Sequence, residues 1–296
     1  MNIVVVGLGS MGYGAASNCA KAGLNAWGFD LNPATVDRFN AEFGQGTRSW
    51  DDIETIDALV LFVVNAQQAQ SVLFDSPAMT KLSSGAAVIN CVTIPPSKAV
   101  ELAEKVSAAG FGYIDAPVSG GAAKAASGEM SIMVSGAAET MASIKPVFDA
   151  ISANVFDLGS EPGNGSRMKL INQLLAGVHI ASTAEALNMA ASYDMDLQQV
   201  FEIITKCAGN SWMWENRGPH IVNGDYTPLS TVDIFVKDMG IVTDEASLKG
   251  VETPLSKTAL ALYQEASQSG LGPEDDSAIV KILAEKSGIK VPGMKS

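Results

Sequence analysis

The chain has 296 residues, enough for one large α/β domain or two of ordinary size, and its 47% hydrophobic and 17% charged residues supply a core without the signature of disorder. A formal net charge of −13, with no cluster of Lys or Arg, excludes a phosphate-rich polymer, so no nucleic acid is expected as a partner. Cys19, Cys91 and Cys207 lack Cys-x-x-Cys spacing and the only histidines are His179 and His220, which argues against a disulfide framework and against any metal centre.

The amino terminus starts at once with strand-like residues, with no basic segment ahead of a long apolar stretch, and no later apolar run approaches membrane-spanning length. A cytoplasmic, reducing setting without membrane contact is expected.

In chain order, β-branched runs at 3–6, 26–30, 58–64 and 86–91 predict strands, and the patterns at 11–22, 32–43, 66–73 and 97–109 predict helices between them. Such alternation implies parallel strands joined by crossover helices. Further strands are expected at 112–115, 131–134 and 154–156. From Gly165 the grammar changes: one long helix is predicted to about Tyr193, then shorter helices near 197–207, 232–248, 254–267 and 276–285, with no strand. Glu161-Pro162-Gly163-Asn164-Gly165 cannot sustain either element and reads as a hinge. The expected fold is therefore α/β, with an amino-terminal doubly wound, mostly parallel Rossmann sheet over 1–162 and an all-α domain over 163–296 that begins with a long helix.

The first strand runs directly into Gly7-Leu8-Gly9-Ser10-Met11-Gly12 and then a helix. In that context Gly7 permits the tight turn, Gly9 lets the backbone approach a pyrophosphate, and Gly12 lets helix and strand pack closely, while the first helical N–H groups face the phosphates. Asp30 ends the second strand, 18 residues past Gly12, where a carboxylate can accept from the ribose hydroxyls of an adenosine. Leu31 follows it in the same part of the site. A 2′-phosphate would meet like charge there, and Leu31-Asn32-Pro33 offers no Arg, so the expected cofactor is NAD rather than NADP. Val64 and Asn65 end a central strand and Thr93 follows another, at the carboxyl edge where such sheets bind ligands.

Hydride transfer from an alcohol needs a base for the hydroxyl proton. With histidine nearly absent, Lys169 is the best candidate, placed in the first turn after Asn164-Gly165-Ser166, where the positive helix end disfavours its charged form. Asn172 and Gln173 follow it by three and four residues, so one helix face can present an amine and an amide together. Ser119-Gly120-Gly121 offers a hydroxyl and closely approaching N–H groups suited to a substrate carboxylate, although a flexible turn uses the same residues. Lys124 nearby reads as a solvated charge. Trp212 and Trp214, in a patch ahead of Arg217, either shape a pocket or simply pack. His179 on the long helix and His220 in a loop read as structural.

With the glycine loop, Asp115-Ala116-Pro117-Val118-Ser119-Gly120-Gly121, Gly163-x-Gly165-x-x-x-Lys169 and Lys237-Asp238 on the page, the chain resembles the β-hydroxyacid dehydrogenases over nearly its full length. The blocks 169–180, 208–217 and 233–238 resemble most a branch that oxidises a four-carbon sugar acid at its C2 hydroxyl. The resemblance implies a small hydroxy acid as substrate, NAD as hydride acceptor, Lys169 as general acid/base, Thr93 and Lys237 as cofactor contacts with Asp238 as a positioning partner, and a homodimer or homotetramer. Most of the family carries Asn at the position of Gln173, which implies a reshaped pocket here. A noncatalytic NAD-binding protein is the alternative from another class, and retention of the substrate and lysine motifs together counts against it.

Overall fold

Apolar residues on both sides of a strand require cover on both sides, and that requirement organises the first part of the chain. The computed structural model describes residues 1–294. It divides into two compact units, Met1–Lys169 and Leu170–Ser296.

The first unit alternates strands and helices: β1 (Asn2–Val6), α1 (Gly12–Lys21), β2 (Asn25–Phe29), α2 (Pro33–Phe43), β3 (Gly46–Thr47), β4 (Ile56–Leu61), α3 (Ala66–Phe74), β5 (Leu82–Asn90), α4 (Pro96–Ala108) and β6 (Gly112–Asp115). There follow β7 (Val118–Ser119), α5 (Gly121–Ser127), β8 (Met130–Gly136), α6 (Ala138–Ser143), α7 (Lys145–Ile151) and β9 (Ser152–Asp157). Strands β3-β2-β1-β4-β5-β6 lie side by side and parallel. Strand order reverses between β1 and β4, so the loops after these two strands flank the switch point where open α/β sheets bind ligands. β6 and β7 lie end to end, antiparallel along β8, and β9 pairs parallel to the other side of β8. Ile3, Val5, Ala58 and Val60 pack into the core on one face of the sheet, while Val4, Val6, Leu59 and Leu61 pack into the core on the other.

The helix α8 (Asn164–Ser192) leads out of the first unit, and the second unit adds α9 (Leu197–Ile204), α10 (Trp212–Asn223), α11 (Val232–Leu248), α12 (Pro254–Ala266) and α13 (Ile279–Ser287). Within it Tyr263 stacks on Phe235 at 5.3 Å between ring centroids and donates its hydroxyl to the Gly177 carbonyl at 3.0 Å. Arg217 is buried and forks onto Asp276, with Nε–Oδ1 at 2.6 Å and Nη2–Oδ2 at 3.0 Å, while Asp275 lies 3.8 Å from Nε.

Three expectations are corrected. The strand expected over 58–64 stops at Leu61, because Asn65 turns the chain into α3 by accepting the Gln68 N–H at 2.9 Å, and Val64 is left exposed. The helix expected over 197–207 ends at Ile204. His220, expected in a loop, lies in the last turn of α10, a helix that Gly218-Pro219 concealed in the sequence.

Candidate active site

The glycine loop takes its shape from its contacts. Gly7 has φ +93°, a left-handed conformation that L side chains rarely adopt, and a Cβ there would lie 2.8 Å from the Phe62 carbonyl oxygen. A Cβ on Gly12 would fall 1.8 Å from the Gly7 carbonyl oxygen, so the start of α1 can press on the loop only as glycine. A Cβ on Gly9 would meet nothing within 4 Å, and Gly9 and Ser10 are exposed. The loop is thus fixed from behind and open in front, which fits a pyrophosphate drawn to helical N–H groups. Leu8, by contrast, is buried, and Met11 is half-buried.

Asp30 stands beside this loop. Its Oδ2 accepts the Leu8 N–H at 2.6 Å and its Oδ1 accepts the Asn32 N–H at 2.8 Å. Each carboxylate oxygen retains a second lone pair, so the group that ties β2 to the loop can also accept from ribose hydroxyls. Leu31, next to it, is 80% exposed. Val64 and Asn65 follow β4, and the half-buried Thr93 follows β5, so all these residues sit on the carboxyl side of the sheet.

Ser119 closes β7, and Gly120 and Gly121 have φ of +128° and +70° at the entry to α5. These three residues are half-buried. Lys124 instead pairs with Glu129 at 2.6 Å, both exposed, as expected for a solvated charge.

Lys169 is 7% exposed. Because α8 begins at Asn164, the lysine lies in its second turn and not its first, and the positive helix end is met by another group, the Asp115 carboxylate, which accepts the Ser166 N–H at 2.7 Å. The helix end therefore acts on Asp115 more than on Lys169, which is nonetheless buried.

Further along α8, the buried Gln173 gives its Nε2 to Asp238 Oδ2 at 2.5 Å and receives Asn172 Nδ2 at its Oε1 at 3.0 Å. Asp238 Oδ1 lies 2.7 Å from Lys237 Nζ, an ion pair. The second unit thus brings Asn172, Gln173, Lys237 and Asp238 into one polar cluster. Trp212 has no such place: it opens α10 and is 54% exposed, whereas Trp214 is buried and stacks on Phe201. No role was expected of Asp115, Ser135 or Ser166, although Asp115 heads the run ending in Ser119-Gly120-Gly121 and Ser166 closes the run Asn164-Gly165-Ser166 before Lys169.

A doubly wound sheet with a constrained glycine loop, the Asp30 carboxylate tied to that loop and a buried lysine fit an NAD-dependent dehydrogenase of hydroxyl groups. Residues 2–159 match the family described as the NAD binding domain of 6-phosphogluconate dehydrogenase, and residues 163–283 match that described as NAD-binding of NADP-dependent 3-hydroxyisobutyrate dehydrogenase. The chain is 48% identical to an L-threonate dehydrogenase of Escherichia coli O6:H1, covering 100% of this chain and 98% of that one. It is 45% identical to an L-threonate dehydrogenase of Haemophilus influenzae, covering 98% and 97%. A crystal structure of a 3-hydroxyisobutyrate dehydrogenase from Salmonella typhimurium superposes with a TM-score of 0.91 at 48% identity, covering 95% of this chain and 99% of that one. The chain belongs to the β-hydroxyacid dehydrogenase family, and it uses NAD to oxidise or reduce a small hydroxy acid. Among the described residues no helix is long and apolar enough to cross a membrane.

Proposed function

We propose that the enzyme oxidises L-threonate at C2 to the 2-oxo acid, with Lys169 as general acid/base. The observation that carries the chemistry is the amine of Lys169, buried on α8 four residues before Gln173. The choice of substrate rests on likeness to L-threonate dehydrogenases at 45–48% identity over the whole chain.

In this reading NAD would be held by the loop 7–12, Asp30, Leu31, Val64, Asn65, Thr93 and Lys237 and would supply the hydride acceptor. Lys169 would take the C2 hydroxyl proton as the C2 hydrogen leaves as hydride, so one hydride and one proton, two electrons and two protons in all, part from the alcohol and a carbonyl forms. Asn172 and Gln173 hold the hydroxyl and Ser119, Gly120 and Gly121 grip the carboxylate, whereas nothing in the position of Trp212, exposed at the start of α10, supports the pocket role expected of it. Gln173 retains one N–H and one lone pair beyond its bonds to Asp238 and Asn172, which suits a second contact with a polyol. In reduction Lys169 returns the proton.

NADH absorbance on mixing enzyme and NAD with L-threonate, D-threonate, erythronate, 3-hydroxyisobutyrate and glycerate tests the substrate. Turnover of L-threonate is expected; turnover of another acid with none of L-threonate overturns the assignment. The second reading, a 3-hydroxyisobutyrate dehydrogenase, draws on the structural relative of that description and predicts the opposite ranking.

The same reading includes a cytoplasmic homodimer or homotetramer and a first domain ending near residue 162. The free thiols of Cys19, Cys91 and Cys207 suit a reducing compartment. Met168, Ile171, Leu175 and Met189 form an exposed apolar stripe at helical spacing on α8, which supports helix packing between subunits.

A further inference from the structure

A carboxylate removed from water is held at a net loss unless its partners compensate fully. Asp115, at the end of β6, is fully buried. Its Oδ2 accepts the Ser166 N–H at 2.7 Å and its Oδ1 accepts the Ser166 hydroxyl at 2.8 Å, with Gly163 N–H and Ser135 adding weaker support. Beside it, Ser135 Oγ on β8 accepts the Gly165 N–H at 3.0 Å. Two strand ends thus take up N–H groups that the first turn of α8 leaves without partners in the helix.

The approach is tight. A Cβ on Gly165 would lie 2.7 Å from the Asp115 carbonyl oxygen and 2.4 Å from that of Met133. This gives the Gly163-x-Gly165 spacing a second purpose: the helix start lies directly against the sheet. Lys169 follows Ser166 by three residues, one turn on.

We propose that Asp115 is a positioning residue, a buried clamp on the first turn of α8 that holds the Lys169 amine in place for proton transfer and slackens when the carboxylate takes up a proton. The inference rests on Lys169 being the acid/base group. A protonated carboxyl turns one oxygen into a donor, so the Ser166 hydroxyl must reverse from donating to accepting, and the bonds to Ser166 are no longer charge-assisted and weaken. Displacement of a reacting group by about 1 Å is enough to lower turnover on the order of a hundredfold.

Burial pushes the Asp115 carboxyl up to about 6, against the bonds from Ser166, Gly163 and Ser135 that hold it down. The titratable groups facing it are Tyr113 and Cys91, whose burial keeps both neutral far above that range. On α8 the nearby charges are Lys169 and Arg167, the latter turned to Asn164 Oδ1. The Asn90 amide pairs across from Asp115 on β5 and lies beside the Tyr113 hydroxyl, close enough to affect it, yet neither completes a hydrogen bond.

The test is kcat against pH for reduction of the 2-oxo acid by NADH, the direction in which Lys169 must be protonated and so adds no loss on the acid side. The wild-type enzyme is expected to lose kcat on acidification with an apparent pKa near 6. Asp115→Asn should lower kcat roughly tenfold or more at neutral pH and abolish that acid limb, with NADH binding unchanged and a melting temperature no lower than wild type. Ser166→Ala, which keeps the carboxylate and the N–H, should lower kcat severalfold and retain the limb. Wild-type kcat and an unchanged profile in Asp115→Asn would overturn the proposal, as would parallel loss of kcat, NADH binding and melting temperature, the pattern of a purely structural residue. Should Asp115→Asn not fold, Ser166→Ala decides alone, and an unaltered kcat refutes the clamp. Turnover retained by Lys169→Met, measured alongside, would defeat the lysine assignment itself and is distinguishable from either result.

Discussion

Gln173 and Asp238 lie 65 residues apart in sequence and meet through one buried hydrogen bond, Nε2 to Oδ2 at 2.5 Å. The bond decides which way the Gln173 amide faces: its nitrogen is turned to Asp238, and its oxygen to Asn172. An asparagine at the same helical position is one methylene shorter and could not keep both contacts without movement of α11.

Asp238→Asn should therefore lower kcat/KM for the hydroxy acid. The amide replacement removes the charge that strengthens the bond and sets a donor against a donor unless one group flips. A hydrogen bond to a charged group contributes about 1.5–3 kcal/mol, so a loss of roughly ten- to hundredfold is expected. Steady-state kinetics at saturating NAD would read it, and an unchanged kcat/KM would separate Asp238 from the orientation of Gln173.

Elements made by local pattern were legible in the sequence. The strands of the parallel sheet, the glycine turn and the long helix beginning near Gly165 all follow from hydrophobic period and punctuation read within a short window. What escaped depends on pairs distant in sequence or on broken local rules. Asp115 was visible only as the head of a motif, because its partner Ser166 is 51 residues on. The position of Lys169 relative to its helix end slipped by a turn, since sequence cannot say that the helix starts at Asn164 and not later. Helix α10 contains Pro219 in its interior and so read as a loop. In the candidate site, residue types pointed to chemistry, but the partners that orient them did not appear in any spacing.

Asp30→Ala is expected to weaken NAD more than NADP. The carboxylate offers acceptors for ribose hydroxyls and repels a 2′-phosphate, so its removal should shift the ratio of kcat/KM values by roughly tenfold toward NADP. The same change leaves the Leu8 N–H without its 2.6 Å partner, so both cofactors should lose some affinity. Asp30→Asn, which keeps an acceptor for Leu8, should show the shift in preference with less general loss. An unaltered ratio in both variants would remove Asp30 from the proposed cofactor site.

Arg217→Met tests the core of the helical unit. The substitution leaves Asp275 and Asp276 buried without their guanidinium, and breaking one side of a buried ion pair typically destabilises by about 3–5 kcal/mol. Urea unfolding should show the loss in the midpoint. A change under about 1 kcal/mol would mean that the carboxylates find other partners.

Stability against pH reports on Asp115 separately from turnover. Its folded-state pKa is raised from 3.8 to about 6 by burial, so the folded protein binds this proton more tightly than the unfolded chain. The resulting stabilisation is full below pH 3.8 and is lost as pH rises through about 6. At about 1.4 kcal/mol per tenfold change in proton affinity, the difference amounts to roughly 3 kcal/mol. The gap between Asp115→Asn and wild type, followed by denaturant unfolding from about pH 4 to pH 8, should thus move in favour of the variant as pH rises. A gap independent of pH would show that the carboxylate titrates alike in both states.

Lys169→Met carries the proposed chemistry. Methionine preserves the length and apolar stem of a side chain that is 7% exposed, so packing should change little while the proton acceptor disappears. General acid/base catalysis contributes roughly a hundred- to ten-thousandfold, and a fall of that size in kcat is expected. NADH binding, followed by the quenching of protein fluorescence, should stay near the wild-type value, because the glycine loop and Asp30 lie on other elements. Loss of binding together with turnover would mark Lys169 as a structural or cofactor-holding residue. Retained turnover would leave the proton to another group, and Lys237, ion-paired with Asp238, would be the next to test.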